Sequence, residues 1–209
     1  MPKLASVNVG TPQQLSVRRG RAMMSAIAKH PVDGRVRVEG VNVAGDAQAD
    51  LRVHGGPDKA VYAYAREDSS WWEDVLGIDI PDGMFGENLT TVGLDVTNAV
   101  IGERWRIGTV ELEVCQPRQP CSKLGIRFEN PRMVKMFAQA SRPGAYLRIV
   151  TEGELGAGDE VEVLSRPDHG VTIAMVSDAV FKDRTLIERV LVAPELSAEA
   201  VADLTAHAA

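Results

Sequence analysis

The sequence predicts a mainly β domain followed by a small C-terminal helical segment. Aromatic residues make up only 5% of the 209 residues, so the core must be built from Val, Ile, Leu and Ala, and valine favours strands. Short alternating segments are joined by glycine turns, as in β-barrels and β-sandwiches. Strand patterns vanish after the segment Ser165-Arg166-Pro167. We therefore expect a β domain over residues 1–167 and a helical segment over residues 168–209.

The N-terminal part reads as short strands separated by polar loops. Leu4–Val9 alternates as a strand, and residues 30–46 form a predicted hairpin or meander. Lys29 closes a locally basic stretch that an ordinary solvated loop would also explain. The loop over residues 50–60 carries His54 and Lys59 beside two glycines and a proline, so its backbone can approach a ligand closely. A structural role for His54 is equally open.

A strand, a helix and a glycine-flanked turn follow in order. Val61–Ala65 has strand character, and acidic residues at the start with Gly77 at the end predict a helix over Glu67–Gly77. The segment GMFGENLT places Glu87 and Asn88 at the start of a strand, where we expect both to be exposed. The Asn88 amide can donate and accept together, which suits recognition of a heterocyclic ring edge. It suits an ordinary turn equally well.

The second half of the chain alternates strands and helices before the tail. Residues 99–107 and 110–115 form a predicted hairpin, Asn130-Pro131 opens a helix that ends near Pro143, and the segments AYLRIV and DEVEVL are strands with glycines between them. Three helices are predicted for the tail, two of them with N-cap residues Asp183 and Ser197. They cover Ile173–Val180, Thr185–Leu191 and Ala198–Ala206.

The functional interpretation depends mainly on the stretch VELEVCQPRQPCSKLGIR, residues 110–127. Its alternation predicts a strand with Cys115 on the polar face, and its two prolines then force the chain into a constrained loop. That loop carries Cys121 between Arg118 and Lys123. Cationic surroundings favour the thiolate, which attacks electrophiles and ligates soft metals. A buried inert cysteine and a Cys115–Cys121 disulfide are the other interpretations.

The charge and composition of the chain argue against two classes of protein, nucleic-acid binders and membrane proteins. A formal charge of −6 argues against nucleic acid as the main partner, because nucleic-acid binders need a basic footprint. The sequence has no stretch of membrane-spanning length and no basic segment followed by an apolar run. We therefore expect a cytoplasmic protein without a membrane partner. In a reducing compartment two cysteines are more often catalytic or metal-binding than paired.

Four ordered motifs carry a resemblance to a known family: HGGPDKAVYAY, GMFGENLT, IGERWRIG and CQPRQPC. The chain resembles the MOSC domain family over about Leu4–Pro167, and specifically its YiiM-like branch, in which a C-terminal helical segment follows. The resemblance implies a mostly antiparallel β-barrel with a few helices that holds a molybdenum–pterin cofactor. It also implies that Cys121 is the molybdenum ligand. Family members of this kind reduce N-hydroxylated compounds, such as hydroxylaminopurines and hydroxylamines, by N–O cleavage.

The cofactor that the resemblance implies needs cations and hydrogen-bond donors around its phosphate. The candidate cofactor-binding residues are Lys29, His54, Lys59, Asn88, Arg118 and Lys123. The sequence has no Cys or His cluster for an iron–sulfur centre, so an electron-donor protein, a flavoprotein or an iron–sulfur protein, is expected as a partner. Two other hypotheses stay open: a carrier that uses Cys121 to hold sulfur or deliver cofactor without turnover, and a binding module with an empty barrel.

The tail offers no thiol, so we expect it to shape access to the pocket or to dock the electron donor without ligating metal. Its helices are near the length at which an isolated helix is marginal in water, and they should fold only by packing. On this view, truncation after Pro167 would leave molybdenum bound to Cys121.

Overall fold

The computed structural model describes residues 1–15, 23–47 and 55–208. Of the predicted site residues, His54 lies outside these ranges. The strands are β1 Lys3–Val9, β2 Gln13–Leu15, β3 Met23–Ser25, β4 His30–Pro31, β5 Arg35–Glu39, β6 Asn42–Val43, β7 Val61–Ala65, β8 Leu89–Val92, β9 Arg104–Ile107, β10 Val110–Pro117, β11 Ala145–Thr151, β12 Gly153–Gly156 and β13 Val161–Ser165. The helices are α1 Arg66–Leu76, α2 Ser122–Arg127, α3 Met133–Ala140, α4 Ile173–Phe181, α5 Ile187–Val190 and α6 Ala198–Ala208.

One large sheet dominates the molecule. Its strand order is β13-β9-β10-β11-β7-β8-β1-β4, and a second sheet has the order β12-β5-β6. All named pairs are antiparallel except β7 with β8. Leu4 exchanges backbone hydrogen bonds with Asp159 and Gly158, which joins β1 to the residues before β13 at the far end of the strand order. The predicted mostly antiparallel, sheet-rich architecture with a few helices is confirmed.

The core is aliphatic, and the tail helices are part of it. Inward side chains of the sheets, such as Val7, Leu112 and Leu147, are buried in one cluster with Ile173 of α4 and Leu204 of α6. Burial of aliphatic area is the main favourable term in folding, and alternating strands supply it on one face only. The tail therefore covers apolar surface of the β domain.

An aromatic cluster lies beside this core. Phe85 stacks on Tyr64 with ring centroids 4.3 Å apart and contacts Phe137 at 5.9 Å. The Trp72 indole of α1 donates a hydrogen bond to the Tyr64 hydroxyl at 2.9 Å. Aromatic pairs in such offset and tilted geometries add to the free energy gained by burial. The cluster forms a rigid wall next to the candidate site described below.

The course of β10 differs from the sequence prediction. The strand continues to Pro117, and Cys115 is fully buried rather than on the polar face. A register shift between Val114 and Gln116 in the pairing with β11 explains both differences, because an irregularity of this kind changes which face the following residues occupy. Pro117 lies at the end of the strand, where a missing N–H is tolerated.

Other local expectations also need correction. Glu87 and Asn88 are buried, because Gly83 and Gly86 bring this turn against residues 27–29. A Cβ atom at Gly83 would lie 2.6 Å from the Lys29 carbonyl oxygen, so only glycine allows this approach. Four strands or helices of the described residues were not predicted. They are the short pair β2 and β3, β12 in the glycine-rich stretch between the last two predicted strands, and α2 after Cys121.

The predicted tail helices are confirmed within a few residues. The Asp183 carboxylate accepts a hydrogen bond from the Thr185 N–H, and the Ser197 hydroxyl accepts one from the Ala200 N–H, as expected of N-caps. Across the described ranges, no helix combines the length and apolar character needed to cross a bilayer.

Candidate functional site

A cavity opens between the end of β10, the turn before β8 and residues 25–29. It gathers the candidate residues that the sequence singled out and that the structure describes, together with apolar and aromatic neighbours. The predicted residues on its lining are Lys29, Lys59, Asn88, Arg118, Cys121 and Lys123. Residues from widely separated parts of the chain thus converge on one concave surface, as is usual for a ligand site.

Cys121 occupies the boundary between loop and helix. It has extended backbone geometry, directly precedes α2 and is partly exposed. Leu124 anchors α2 in the aromatic cluster, which fixes the position of the cysteine from the C-terminal side. Both cysteines are free thiols, so the disulfide interpretation is wrong. An accessible thiol on a fixed loop is available to a ligand in the cavity.

Arg118 is the most unusual cation of the site. Its side chain is buried, and its guanidinium carbon lies 5.7 Å from the Tyr62 ring centroid and 5.2 Å from that of Phe137. One Nη atom is 3.9 Å from the Cys121 sulfur. No carboxylate in the described ranges pairs with it. A buried guanidinium without a carboxylate is costly unless an anion or thiolate completes its surroundings.

Lys29 and Asn88 belong to a buried polar network centred on Asp46. Lys29 forms an ion pair with the Asp46 carboxylate, which also accepts a hydrogen bond from the Asn88 amide at 2.9 Å. The Asn88 oxygen in turn accepts from the Tyr62 N–H at 3.1 Å. Burial lowers the pKa of Lys29, and the Asp46 carboxylate opposes that shift. The network fixes one wall of the cavity and leaves the Asn88 amide engaged within the protein.

Lys59 connects the cavity to the tail. Its ammonium group lies 2.6 Å from the Glu199 carboxylate on α6. Two further contacts hold the tail to the segment before Cys121. The Gln119 amide of the cysteine loop, residues 118–121, donates to Asp203 of α6, and the Ser197 hydroxyl just before α6 donates to the Gln116 side-chain oxygen near the end of β10. The tail thus contacts the same loop that carries the thiol.

Cys115 has a structural role. Its sulfur lies 3.0 Å from the Asp58 carbonyl oxygen and 3.3 Å from that of Tyr146. Burial raises the pKa of the Cys115 thiol, so it stays protonated and unreactive. Of the two cysteines, only Cys121 lines the cavity.

Several site residues escaped the sequence interpretation. Asp46, Tyr62, Tyr146 and Phe85 line the cavity, and Glu199 reaches its edge through Lys59. An aspartate that follows a glycine, such as Asp46, is typical of an ordinary turn. Tyrosines in alternating strands, such as Tyr62 and Tyr146, are typical of core residues. Only the tertiary structure brings them to the thiol.

Comparison with known proteins identifies the family. The family model described as "MOSC domain" matches residues 50–162, which include the cysteine loop and most of the predicted cofactor-binding residues. The chain belongs to the MOSC domain family. This MOSC protein is 38% identical over 195 residues to protein YflK of Bacillus subtilis, covering 92% of this chain and 88% of YflK.

YiiM proteins are also similar to this MOSC protein. It is 34% identical over 149 residues to YiiM of Escherichia coli, covering 68% of this chain and 65% of that protein. The crystal structure of YiiM from Geobacillus stearothermophilus superimposes with a TM-score of 0.82 at 29% identity and covers both chains completely. The agreement over the full length includes the tail, so the helical segment is part of the shared fold.

A further relative has a different organisation. A protein named "Reductase" from Gibberella moniliformis is 36% identical over 165 residues, which are 73% of this chain but only 29% of that protein. The shared region is therefore one part of a much longer chain.

Proposed function

We propose that this MOSC protein binds a molybdenum–pterin cofactor through Cys121 and reduces N-hydroxylated compounds. The observation that carries the proposal is the juxtaposition of Cys121 with buried Arg118 in one cavity, in which Arg118 has no carboxylate partner within the described ranges. An anionic, thiolate-liganded cofactor supplies what both residues lack. Membership of the MOSC family and the relative named "Reductase" support the same class of activity.

The residues present fit such a cofactor in three respects. Cys121 offers a soft thiolate ligand. Arg118 and Lys123 offer positive charge to its anionic end, and the guanidinium can donate two parallel hydrogen bonds to a phosphate. The Lys29–Asp46–Asn88 network gives a preorganised polar wall on the other side. The Tyr62 ring under Arg118 limits the guanidinium to a few orientations.

The bound molybdenum supplies the two-electron chemistry. Overall the N–O bond of R–NHOH breaks, two electrons and two protons are taken up, and R–NH₂ and water leave. The protein holds the cofactor by Cys121, stabilises its negative charge with Arg118 and excludes bulk water with the aromatic wall. The electrons come from an electron-donor protein, a flavoprotein or an iron–sulfur protein.

The two cysteines give a matched test. Cys121→Ser should abolish molybdenum retention and N-hydroxyl reduction without loss of the fold, because serine oxygen is a poor substitute for a soft thiolate. Cys115→Ser should leave the molybdenum content unchanged, since the Cys115 thiol does not line the cavity. Elemental analysis, pterin fluorescence and the rate at which N-hydroxylated adenine is reduced should be measured on the wild type and both variants, with thermal unfolding as the check on folding.

Three results would decide between the hypotheses. Molybdenum near one atom per chain, lost only in Cys121→Ser, supports the reductase. Labile sulfur on Cys121 without metal would favour the carrier instead. Equal molybdenum contents in the two variants would show that Cys121 is not the ligand.

A further inference from the structure

A second pocket reaches Cys121 from the side of the tail. It lies between the cysteine loop and α6 and has a cavity volume of about 230 Å³. Since a water molecule occupies about 30 Å³ in the liquid, the pocket has room for a small ligand of one or two rings. We call it the tail-side pocket and the first one the basic cavity.

The two pockets meet at a common wall. Lys59, Arg118, Cys121 and Tyr146 line both of them. The tail-side pocket adds neutral residues of the loop, such as Gln119, and Glu199 from α6. Cys121 therefore borders the tail-side pocket as well as the basic cavity.

The two pockets differ in charge. Lys29, Lys59, Arg118 and Lys123 line the basic cavity against the single carboxylate of Asp46, which suits an anion. In the tail-side pocket the Glu199 carboxylate is neutralised by Lys59 at 2.6 Å, and the residues found only there are otherwise uncharged. Arg118 on the common wall is the remaining charged residue of the tail-side pocket, and an anionic cofactor in the basic cavity pairs with it. The tail-side pocket then suits a small uncharged molecule, because a charged one would be buried without a partner.

Tyr146 adds a specific contact in this wall. The hydroxyls of Tyr62 and Tyr64 donate to the carbonyl oxygens of Pro143 and Arg142. Among the described residues, none accepts from or donates to the Tyr146 hydroxyl, although this residue lines both pockets. A phenol can donate to or accept from a ligand's N–H or O–H group.

We infer that the tail-side pocket binds the uncharged N-hydroxylated substrate, while the basic cavity holds the anionic cofactor. The inference rests on the proposed function and adds to it the place of the substrate and the role of the tail. The tail then contributes a wall of the substrate pocket, with Glu199 as the residue that borders it, and the substrate's N–O group faces the Cys121 side of the common wall.

The pocket can be filled from α6 without altering a residue of the cysteine loop. Glu199→Trp places a large side chain at its border, and Ala202→Trp places the same side chain at an exposed position of the same helix. Glu199→Gln removes the charge and leaves the space open. Each variant should be tested for molybdenum content, for the turnover number and KM with N-hydroxylated adenine as the substrate, and for adenine binding by calorimetry, since adenine is the uncharged product.

We expect Glu199→Trp to raise the KM and the adenine Kd by at least about tenfold at unchanged molybdenum content, whereas Ala202→Trp should stay within about threefold of the wild type. Glu199→Gln loses the Lys59 ion pair but adds no bulk, so it should raise both values less than Glu199→Trp does. Unchanged adenine binding in Glu199→Trp would overturn the assignment. An equal rise in Glu199→Gln would trace the effect to the lost Lys59 ion pair and would also overturn it. If adenine binding follows the expected pattern but the wild type reduces nothing, only the proposed function fails.

Discussion

The burial of Arg118 is itself evidence that this residue binds an anion. Its guanidinium lies near two aromatic rings and a thiol, in surroundings where a charge is costly unless an anion compensates it. The sequence predicted a role for Arg118 from the type of residue and its loop. Its burial and the absence of a carboxylate partner in the described ranges come only from the structure.

Replacement of Arg118 should therefore affect cofactor retention in a graded way. Hydrogen bonds to charged groups contribute roughly 1.5–3 kcal/mol, so Arg118→Ala should weaken retention about 10- to 100-fold. Arg118→Lys should retain more cofactor, because it keeps the charge but loses the planar pair of donors. Molybdenum and pterin content after dialysis is the measurement, and exposed Arg132→Ala is the control. Equal content in Arg118→Ala and the wild type would remove Arg118 from the site.

Burial also changes the pKa of a single carboxyl group, that of Glu87. Its carboxylate accepts hydrogen bonds from Gly83, Phe85 and Thr90, yet burial raises the pKa of Glu87 to about 7, from 4.5 in an exposed glutamate. Between these two pH values the native state holds a proton that the unfolded state has released. The free energy of unfolding must therefore fall as the pH rises through this window.

The slope contributed by Glu87 should approach about 1.4 kcal/mol per pH unit, and it should be absent in Glu87→Gln, which cannot titrate. Urea unfolding at pH 5.0, 6.0 and 7.5 measures it as the difference between wild type and variant. Exposed Glu188→Gln serves as the control and should keep the wild-type slope. Parallel pH profiles for the wild type and Glu87→Gln would contradict the raised pKa.

At the scale of elements, the sequence predicted those whose periodicity is long and regular. The strand β1, the helix α1 and the tail helix α4 lie within about two residues of the prediction, because each shows several repeats of its apolar pattern. The short helix α2 has six residues and contains Gly125, so its local pattern carries little information. Packing of Leu124 and Phe128 in the aromatic cluster stabilises it instead.

The strand β10 shows why local alternation was not sufficient for the cysteines. The pattern correctly gave the inward positions up to Val114, but the register shift after it reversed the expected face of Cys115. A bulge depends on the partner strand, which the local sequence does not contain. The contact between Lys59 and Glu199 likewise joins residues 140 positions apart. Contacts between residues so far apart in the chain are set by the topology of the fold. The tail-side pocket depends on the same contacts, because Lys59 and Glu199 both line it.

At the scale of the whole molecule, the tail and the sheet share one hydrophobic core. Large aliphatic side chains of the tail are buried at seven described positions: Val171, Ile173, Val176, Ile187, Val190, Leu196 and Leu204. Backbone hydrogen bonds from Ile101 to Val171 and from Ile173 to Ala99 continue the contact along the chain. The tail therefore packs more extensively against the sheet than the sequence predicted. The boundary at residue 167 stays a prediction.

This shared core changes the result expected of truncation after Pro167. Each of the seven side chains contributes about 1.5–3 kcal/mol by burial, and their sum is comparable to the roughly 5–15 kcal/mol by which a whole domain is stable. We now expect the truncated chain to lose cooperative unfolding and to aggregate, and to lose molybdenum for that reason. Truncation after Thr205 is the control, because it keeps Leu204 and all the other buried tail residues. Circular dichroism during heating and gel filtration measure the outcome. A monomeric chain of residues 1–167 that unfolds cooperatively would show that the sheet needs no tail, and its molybdenum content would then report directly on whether the tail takes part in holding the cofactor.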